Sequence, residues 1–225
     1  MKEAYYTLEN IPDRAGEFIL DVEAVRRDGR QVFQPEISAL LVLDMQKYFL
    51  DPASHAFVPS ALAILPGLER LARVYHARNR PVICTRHLNT PQNAGSMGRW
   101  WRELICLENP LSEIAPGLLP FAHTVLPKTQ YDAFYQTGLE EMLHLQGVQQ
   151  VVVSGVMTHL CCETTARSAF VRGFEVIFLV DGTAAYTAAH HRAAILNLAH
   201  GFAAPLRIAD ILSQLPVNEP AGEPG

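Results

Sequence analysis

The sequence predicts a three-layer α/β protein with a mostly parallel central sheet. Three observations carry that prediction. Four apolar runs are nearly continuous rather than alternating, as strands covered on both faces are. Segments with apolar residues on one helical face lie between them. Glycines close several of these segments, where a helix C-terminus favours a residue without a Cβ. Strands and helices that alternate in this way imply right-handed crossovers.

The elements follow in order. Ala39–Leu43 is the first strand. Leu68, Leu71, Ala72 and Tyr75 recur on one face and mark a helix that ends before Pro81. Pro81–Cys84 is the second strand, and His123–Leu126 is a weaker one. Leu139, Met142, Leu143 and Leu145 mark a helix closed by Gly147. Gln150–Val153 is a strand, followed by a helix from Thr158 to Arg172 closed by Gly173. Glu175–Val180 is a strand, and Ala188–His200 a helix closed by Gly201. Pro205–Ile208 is a candidate sixth strand. Residues 88–121 hold Gly, Pro, Asn and the pair Trp100-Trp101, and a long loop in a compact domain is usually functional.

The chain has 225 residues, 49% hydrophobic and 18% charged, which suits a packed core and excludes a mainly disordered chain. One domain with additions fits the length. The expected division is an N-terminal arm over 1–35, a main domain over 36–213 and a loose tail over 214–225. The arm packs on its own domain or on a neighbouring subunit. A net charge of −5 gives no reason to expect a nucleic-acid partner or an anionic membrane. No apolar run approaches the roughly 20 residues of a membrane helix. The opening Met1-Lys2-Glu3-Ala4-Tyr5-Tyr6 does not read as a secretory signal. Four cysteines without a CxxC spacing read as free thiols in a reducing, cytoplasmic setting, and a structural zinc site is not expected.

Ligand sites in open parallel sheets form beyond the carboxyl ends of the strands. Asp44 closes the first strand, Lys128 follows the His123–Leu126 run, and Cys161 lies past Ser154-Gly155. Each residue also has a plain reading, as helix cap, solvated loop charge and core filler respectively. Together they make a coherent chemistry. A helix N-terminus and Lys128 would stabilise a Cys161 thiolate, Asp44 would carry its proton, and backbone N–H groups around Met157 and Cys161 would hold an oxyanion.

Three segments resemble the isochorismatase-like cysteine hydrolases. They are Ser154-Gly155-Val156-Met157-Thr158-His159-Leu160-Cys161-Cys162-Glu163-Thr164-Thr165-Ala166, the Asp-x-Gln-x-x-Phe of Asp44 to Phe49, and Pro127-Lys128-Thr129-Gln130-Tyr131-Asp132-Ala133-Phe134. Order and spacing agree from about residue 36 to 210. The resemblance implies a doubly wound, three-layer αβα hydrolase domain. It implies a triad of Asp44, Lys128 and Cys161. It also implies a cis peptide between Val156 and Met157, which places Val156, Met157 and Cys161 at an oxyanion hole.

The family holds several chemistries. Nicotinamidases, one branch, bind a metal through an Asp-x-His and a Trp-His-Pro-x-x-His. Here Leu50-Asp51-Pro52-Ala53-Ser54-His55 and Thr85-Arg86-His87-Leu88-Asn89 stand in those places, with a different spacing and without the second motif. No catalytic metal and no cofactor are therefore expected. The frame resembles the isochorismatase branch, and Cys161 resembles the amidohydrolase branch. The expected activity is hydrolysis of an amide, ureide or imide C–N bond in a small molecule through a thioester. Vinyl-ether hydrolysis that releases pyruvate is the alternative, and a non-catalytic binding module is a further one. By analogy the protein is a homo-oligomer, a dimer or tetramer.

Further candidates surround the triad. Gln46, Trp100, Trp101, Tyr131 and His159 are candidate substrate-binding residues, and one tryptophan is expected to cap the pocket. Phe134 is a candidate lining residue. Arg86, His87, Arg99 and Arg102 are candidates for a substrate carboxylate, which hints at an anionic substrate. Cys162 points about 100° from Cys161 on a helix and reads as a buried small residue or a resolving thiol. Cys84 reads as core, and Cys106 lies in the long loop.

Overall fold

The computed structural model describes residues 2–23, 25 and 32–215. Most of the expected tail, 216–225, lies outside the described residues, as do 26–31 of the arm. The elements run α1 (Ile11–Glu23), β1 (Ser38–Leu43), α2 (Lys47–Leu50), α3 (Ala61–Ala77), β2 (Val82–His87), α4 (Met97–Trp100), β3 (Thr124–Lys128) and α5 (Leu139–Leu145). Then come β4 (Gln150–Val156), α6 (Glu163–Val171), β5 (Glu175–Ala184), α7 (Ala188–Gly201), β6 (Ala204–Leu206) and α8 (Ile208–Ser213).

The six strands form one sheet in the order β3-β2-β1-β4-β5-β6, and neighbouring strands pair in parallel. Helices α3 and α8 pack together on one face, and α1, α6 and α7 pack on the other. Every residue of β1 and β4 is buried, which is why both read as unbroken apolar runs. Strand β3 lies at the edge and alternates between buried and accessible residues, so its signal is weaker. Both strand prolines, Pro127 and Pro205, sit in edge strands, where a missing ladder donor is tolerated.

Two boundaries differ from the sequence reading. Helix α3 starts at Ala61, well before Leu68, and carries Pro66 inside. The buried Ala61 and Ile64 hold its first turn against the core despite the donor that Pro66 lacks. Gly201 is the last residue of α7 and not a left-handed cap, whereas Gly147 and Gly173 take that role at φ 64° and 87°. The arm packs into the same core as the sheet. Tyr5, Tyr6, Phe18 and Val22 are all buried there.

The chain leaves β1 toward β2 and β3, and leaves β4 toward β5 and β6. The winding therefore reverses between β1 and β4, which is where open α/β sheets form their crevice. Gly155, near the end of β4, makes that junction close. Its φ is 106°, and a Cβ there would lie 2.0 Å from the Leu43 carbonyl oxygen. Gly155→Ala is expected to cost about 3 kcal/mol or more through backbone strain and overpacking together. Urea unfolding measures it, and a loss under about 1 kcal/mol would contradict the close packing of β1 on β4.

Candidate active site

Asp44 is the first residue past β1, and it holds a left-handed φ of 51°. That conformation is uncommon outside glycine and is kept only where surroundings enforce it. Thr85 on β2 does so. Its hydroxyl accepts from the Asp44 backbone N–H at 3.0 Å and donates to Asp44 Oδ1 at 2.6 Å. Lys128, the last residue of β3, reaches across with Nζ 2.8 Å from Asp44 Oδ2, and both side chains are fully buried. This contact is a buried ion pair between Asp44 Oδ2 and the Lys128 ammonium.

The same ammonium donates to Cys161 Sγ at 3.4 Å and to the Gln130 carbonyl at 2.9 Å. Cys161 lies in a π-helical turn, Thr158–Cys162, which leads from β4 into α6. Single π turns recur at functional sites because they re-aim one side chain. The Val156–Met157 peptide before the turn is cis. Three strand ends thus place a carboxylate, an ammonium and a thiol side by side. The arrangement can move a proton from sulfur to carboxylate beside a fixed positive charge.

The electrostatics differ from the expected lowered thiol. Burial and the charge of Asp44 push the Cys161 thiol well up, and Lys128 offsets only part of this. The thiol therefore rests protonated. Burial alone would push the Lys128 ammonium down, but Asp44 and Cys161 beside it win and hold it up. His87 ends β2 between the partners, with Nδ1 3.4 Å from Lys128 Nζ and Nε2 2.7 Å from Asn89 Oδ1. Burial, helped by Lys128, lowers its pKa to about 4, so it is neutral.

A cavity of about 60 Å³ opens onto Cys161. The loop between β2 and β3 supplies one wall, with Met97, Trp101, Leu104 and Ile105. Trp101 Nε1 donates to the Tyr131 hydroxyl at 2.8 Å, and both rings face the cavity. Met157 lines it, while Val156 is buried at the end of β4. A polar cluster absent from the sequence reading also lines it. The Tyr48 hydroxyl donates to Glu103 Oε1, and His55 Nδ1 lies 3.0 Å from the same oxygen. Tyr48 was legible only as a motif position without a role, and Glu103 carried no signal at all.

Several expected substrate contacts lie elsewhere. Gln46 is fully buried with its amide spent on main chain. It donates to the His87 and Ser112 carbonyls and accepts from the His87 N–H. It fixes two loops rather than a ligand. Trp100 is 79% exposed, and Trp101 does the lining instead. His159 stacks on His190 with ring centroids 4.4 Å apart and is not part of the cavity wall. Phe134 packs on Phe174. Arg86 is spent on the Ser112 carbonyl and hydroxyl. Arg99 and Arg102 are exposed and do not line the cavity. Cys162 and Cys84 are buried.

The residues present do not fit a metal. Both His87 nitrogens face other groups, His55 Nδ1 faces Glu103, and no cluster of three His, Cys, Asp or Glu ligands exists among the described residues. No described helix is long and apolar enough to cross a membrane.

The family model described as Isochorismatase domain matches residues 38–210. Nicotinamidase 3 of Arabidopsis thaliana is 39% identical over 173 residues, which are 75% of this chain and 83% of that protein. Isochorismatase of Bacillus subtilis (strain 168) is 29% identical over 199 residues, 83% of this chain and 60% of that protein. A cysteine hydrolase from Pseudomonas syringae pv. phaseolicola 1448A has a similar crystal structure, with a TM-score of 0.78 at 27% identity over 83% of this chain and 95% of that one.

His87 and His191 give the fold a definite acid response. Burial lowers their pKa values to about 4 and about 3, against about 6.5 in the unfolded chain. As pH falls below 6.5 the unfolded chain takes up both protons first, so stability drops from there to about pH 4 for His87 and about pH 3 for His191. Above pH 7 these groups add no slope. Urea unfolding at pH 7.5, 6 and 5 is expected to show the fall, and His87→Gln to make it shallower.

Proposed function

The chain belongs to the isochorismatase domain family of hydrolases, and on that premise we propose that it cleaves the C–N bond of a small, neutral amide, ureide or imide through a Cys161 thioester. The observation that carries the proposal is Lys128 Nζ held between Asp44 Oδ2 at 2.8 Å and Cys161 Sγ at 3.4 Å at the floor of a mainly apolar cavity. A vinyl-ether hydrolase has no use for a thiol held in this way. The nicotinamidase relative supports amide chemistry at 39% identity.

In the proposed mechanism the Cys161 proton passes to the Asp44 carboxylate. Sulfur forms a bond to the carbonyl carbon, and the backbone N–H groups at Val156–Met157 and Cys161 hold the oxyanion. Asp44 returns the proton to the leaving nitrogen as the C–N bond breaks. Water, deprotonated by Asp44, then attacks the thioester, and the sulfur takes the proton back. Lys128 balances whichever of Asp44 or Cys161 carries the negative charge.

Neutrality of the substrate follows from the wall. Lys128 is committed to Asp44, Arg86 to Ser112, and the wall carries the carboxylate of Glu103. An anion entering there would be desolvated without a free cation to meet it. The loop arginines do not change this, because Arg99 and Arg102 do not line the cavity.

Cys161→Ala is expected to lose about a thousandfold or more of the turnover while keeping the wild-type unfolding transition. Ammonia release from nicotinamide, a ureide and an imide measures it, with pyruvate release from isochorismate in parallel. Pyruvate release that survives in Cys161→Ala would establish vinyl-ether chemistry instead. Among amides, kcat/KM for nicotinamide is expected to exceed that for succinamate, which carries a carboxylate, by about tenfold or more. Preference for succinamate would reverse the assignment of a neutral substrate.

A further inference from the structure

Thr158 opens the turn that carries Cys161, and distant groups hold its hydroxyl. Thr158 Oγ1 lies 2.9 Å from His191 Nδ1. His191 Nε2 lies 3.2 Å from the Tyr6 hydroxyl, which donates to the Val180 carbonyl at 3.1 Å. The Ala185 N–H donates to the Tyr5 hydroxyl at 2.9 Å. Thr158 and His191 are fully buried, and Tyr6 nearly so.

The proton directions follow from counting donors. Tyr6 has one proton and gives it to Val180, so its oxygen accepts from His191 Nε2–H. A neutral imidazole protonated at Nε2 has a lone pair on Nδ1, so Thr158 donates there. The Tyr5 hydroxyl oxygen accepts separately from the Ala185 N–H. Both ring nitrogens of His191 are engaged, and the bonds run one way from Thr158 through His191 and Tyr6 to the Val180 carbonyl. They pass from the turn through α7 and the arm to β5. Burial keeps the imidazole neutral, with a pKa lowered to about 3.

The arm encloses this chain. The rings of Phe18, Tyr5 and Tyr6 surround His191 at centroid distances of 4.8, 5.3 and 5.4 Å. Arg192 Nε binds Asp21 at 2.7 Å, and the Ala188 N–H donates to Glu3 at 2.9 Å, so the N-terminal part of α7 is tied to the arm at two points. None of these residues lines the cavity at Cys161.

We propose that His191 is a positioning residue that fixes the Cys161 turn through Thr158, and that the N-terminal arm is the element that holds His191 in place. The kinetic part of the proposal rests on the amide-hydrolase reading above; the structural part does not. An imidazole locked on both nitrogens fixes the Thr158 rotamer. Thr158 directly follows Met157, so that lock sets where the turn presents its N–H groups and the thiol. Misplacement by an ångström is enough to cost a reaction of this kind about a hundredfold.

The test uses the full chain and three variants. Thr158→Val keeps the shape and removes the donor. His191→Leu removes both ring contacts, and His191→Gln restores an acceptor and a donor. With nicotinamide as substrate, kcat is expected to fall at least tenfold in Thr158→Val and His191→Leu. KM stays within threefold, and His191→Gln recovers most of the kcat. Equal kcat in all variants, or a loss that tracks only the folded fraction, overturns the inference. Hydrogen exchange over residues 157–162 reads the turn without substrate. It is expected to quicken at least tenfold in Thr158→Val, whose overall unfolding midpoint is the control. Unchanged exchange there overturns the inference whether or not the wild type turns over any amide. Inactivity of the wild type on every amide would instead count against the amide-hydrolase reading. If His191→Leu does not fold, Thr158→Val decides alone.

Discussion

The ion pair between Asp44 and Lys128 sets the terms for everything around it. Both side chains are fully withdrawn from water, at a cost of several kcal/mol per charge. Mutual attraction offsets that only if the remaining polar atoms are served. Thr85 serves Oδ1 of the aspartate, and the Gln130 carbonyl serves the ammonium. Burial first, and then the pair, fixes the charge of its neighbours. A second cation beside Lys128 would be unpaired, so His87 stays neutral. A second anion beside Asp44 would be unpaired too, so the Cys161 thiol keeps its proton.

That balance makes the site a one-proton device. One positive charge, one negative charge and one proton are shared among three groups. Moving the proton from sulfur to carboxylate transfers the negative charge without changing the total. The buried site therefore never carries an uncompensated charge, which a low-dielectric interior would penalise heavily. A raised thiol pKa is then consistent with a reactive cysteine. On the proposed mechanism the nucleophile appears only as the proton moves, so no standing thiolate is open to oxidation. From sequence alone, Lys128 is expected to ionise the thiol in advance. Lys128 is instead shared with a nearer carboxylate, and proximity decides which anion it serves.

The fold was legible because its signals are local. Continuous burial of β1 and β4 writes an apolar run into the sequence, and Gly147 and Gly173 mark helix ends by their left-handed conformations. Asp44, Lys128 and Cys161 were legible as residues at strand ends, since topology brings those ends together. The contacts of side chains across distant segments were not. Gln46 sits in a motif, but only the fold shows its amide clamped to His87 and Ser112. Trp100 and Trp101 are adjacent, and the choice between them turns on the phase of the four-residue helix α4. Glu103 meets Tyr48 and His55 across some fifty positions of sequence, and no local pattern encodes that.

This division of labour bears on why one frame serves several reactions. The motif residues come from strand ends and form the floor of the cavity. The wall comes from the loop between β2 and β3, through Met97, Trp101, Glu103, Leu104 and Ile105. Loop residues are free to change without disturbing the ion pair, because the floor is held by the sheet and by Thr85. The chain's likeness to a nicotinamidase at 39% identity and to an isochorismatase at 29% is then a statement about the shared sheet and floor. What enters is decided by a wall drawn largely from that loop, which the motifs reach mainly through Tyr48 and Tyr131. In this chain the wall is apolar, roofed by Trp101 and Tyr131, and carries a carboxylate but no free cation. On the proposed function, a wall without a free cation and a buried Cys161 at the floor fit one class of substrate, a small neutral amide.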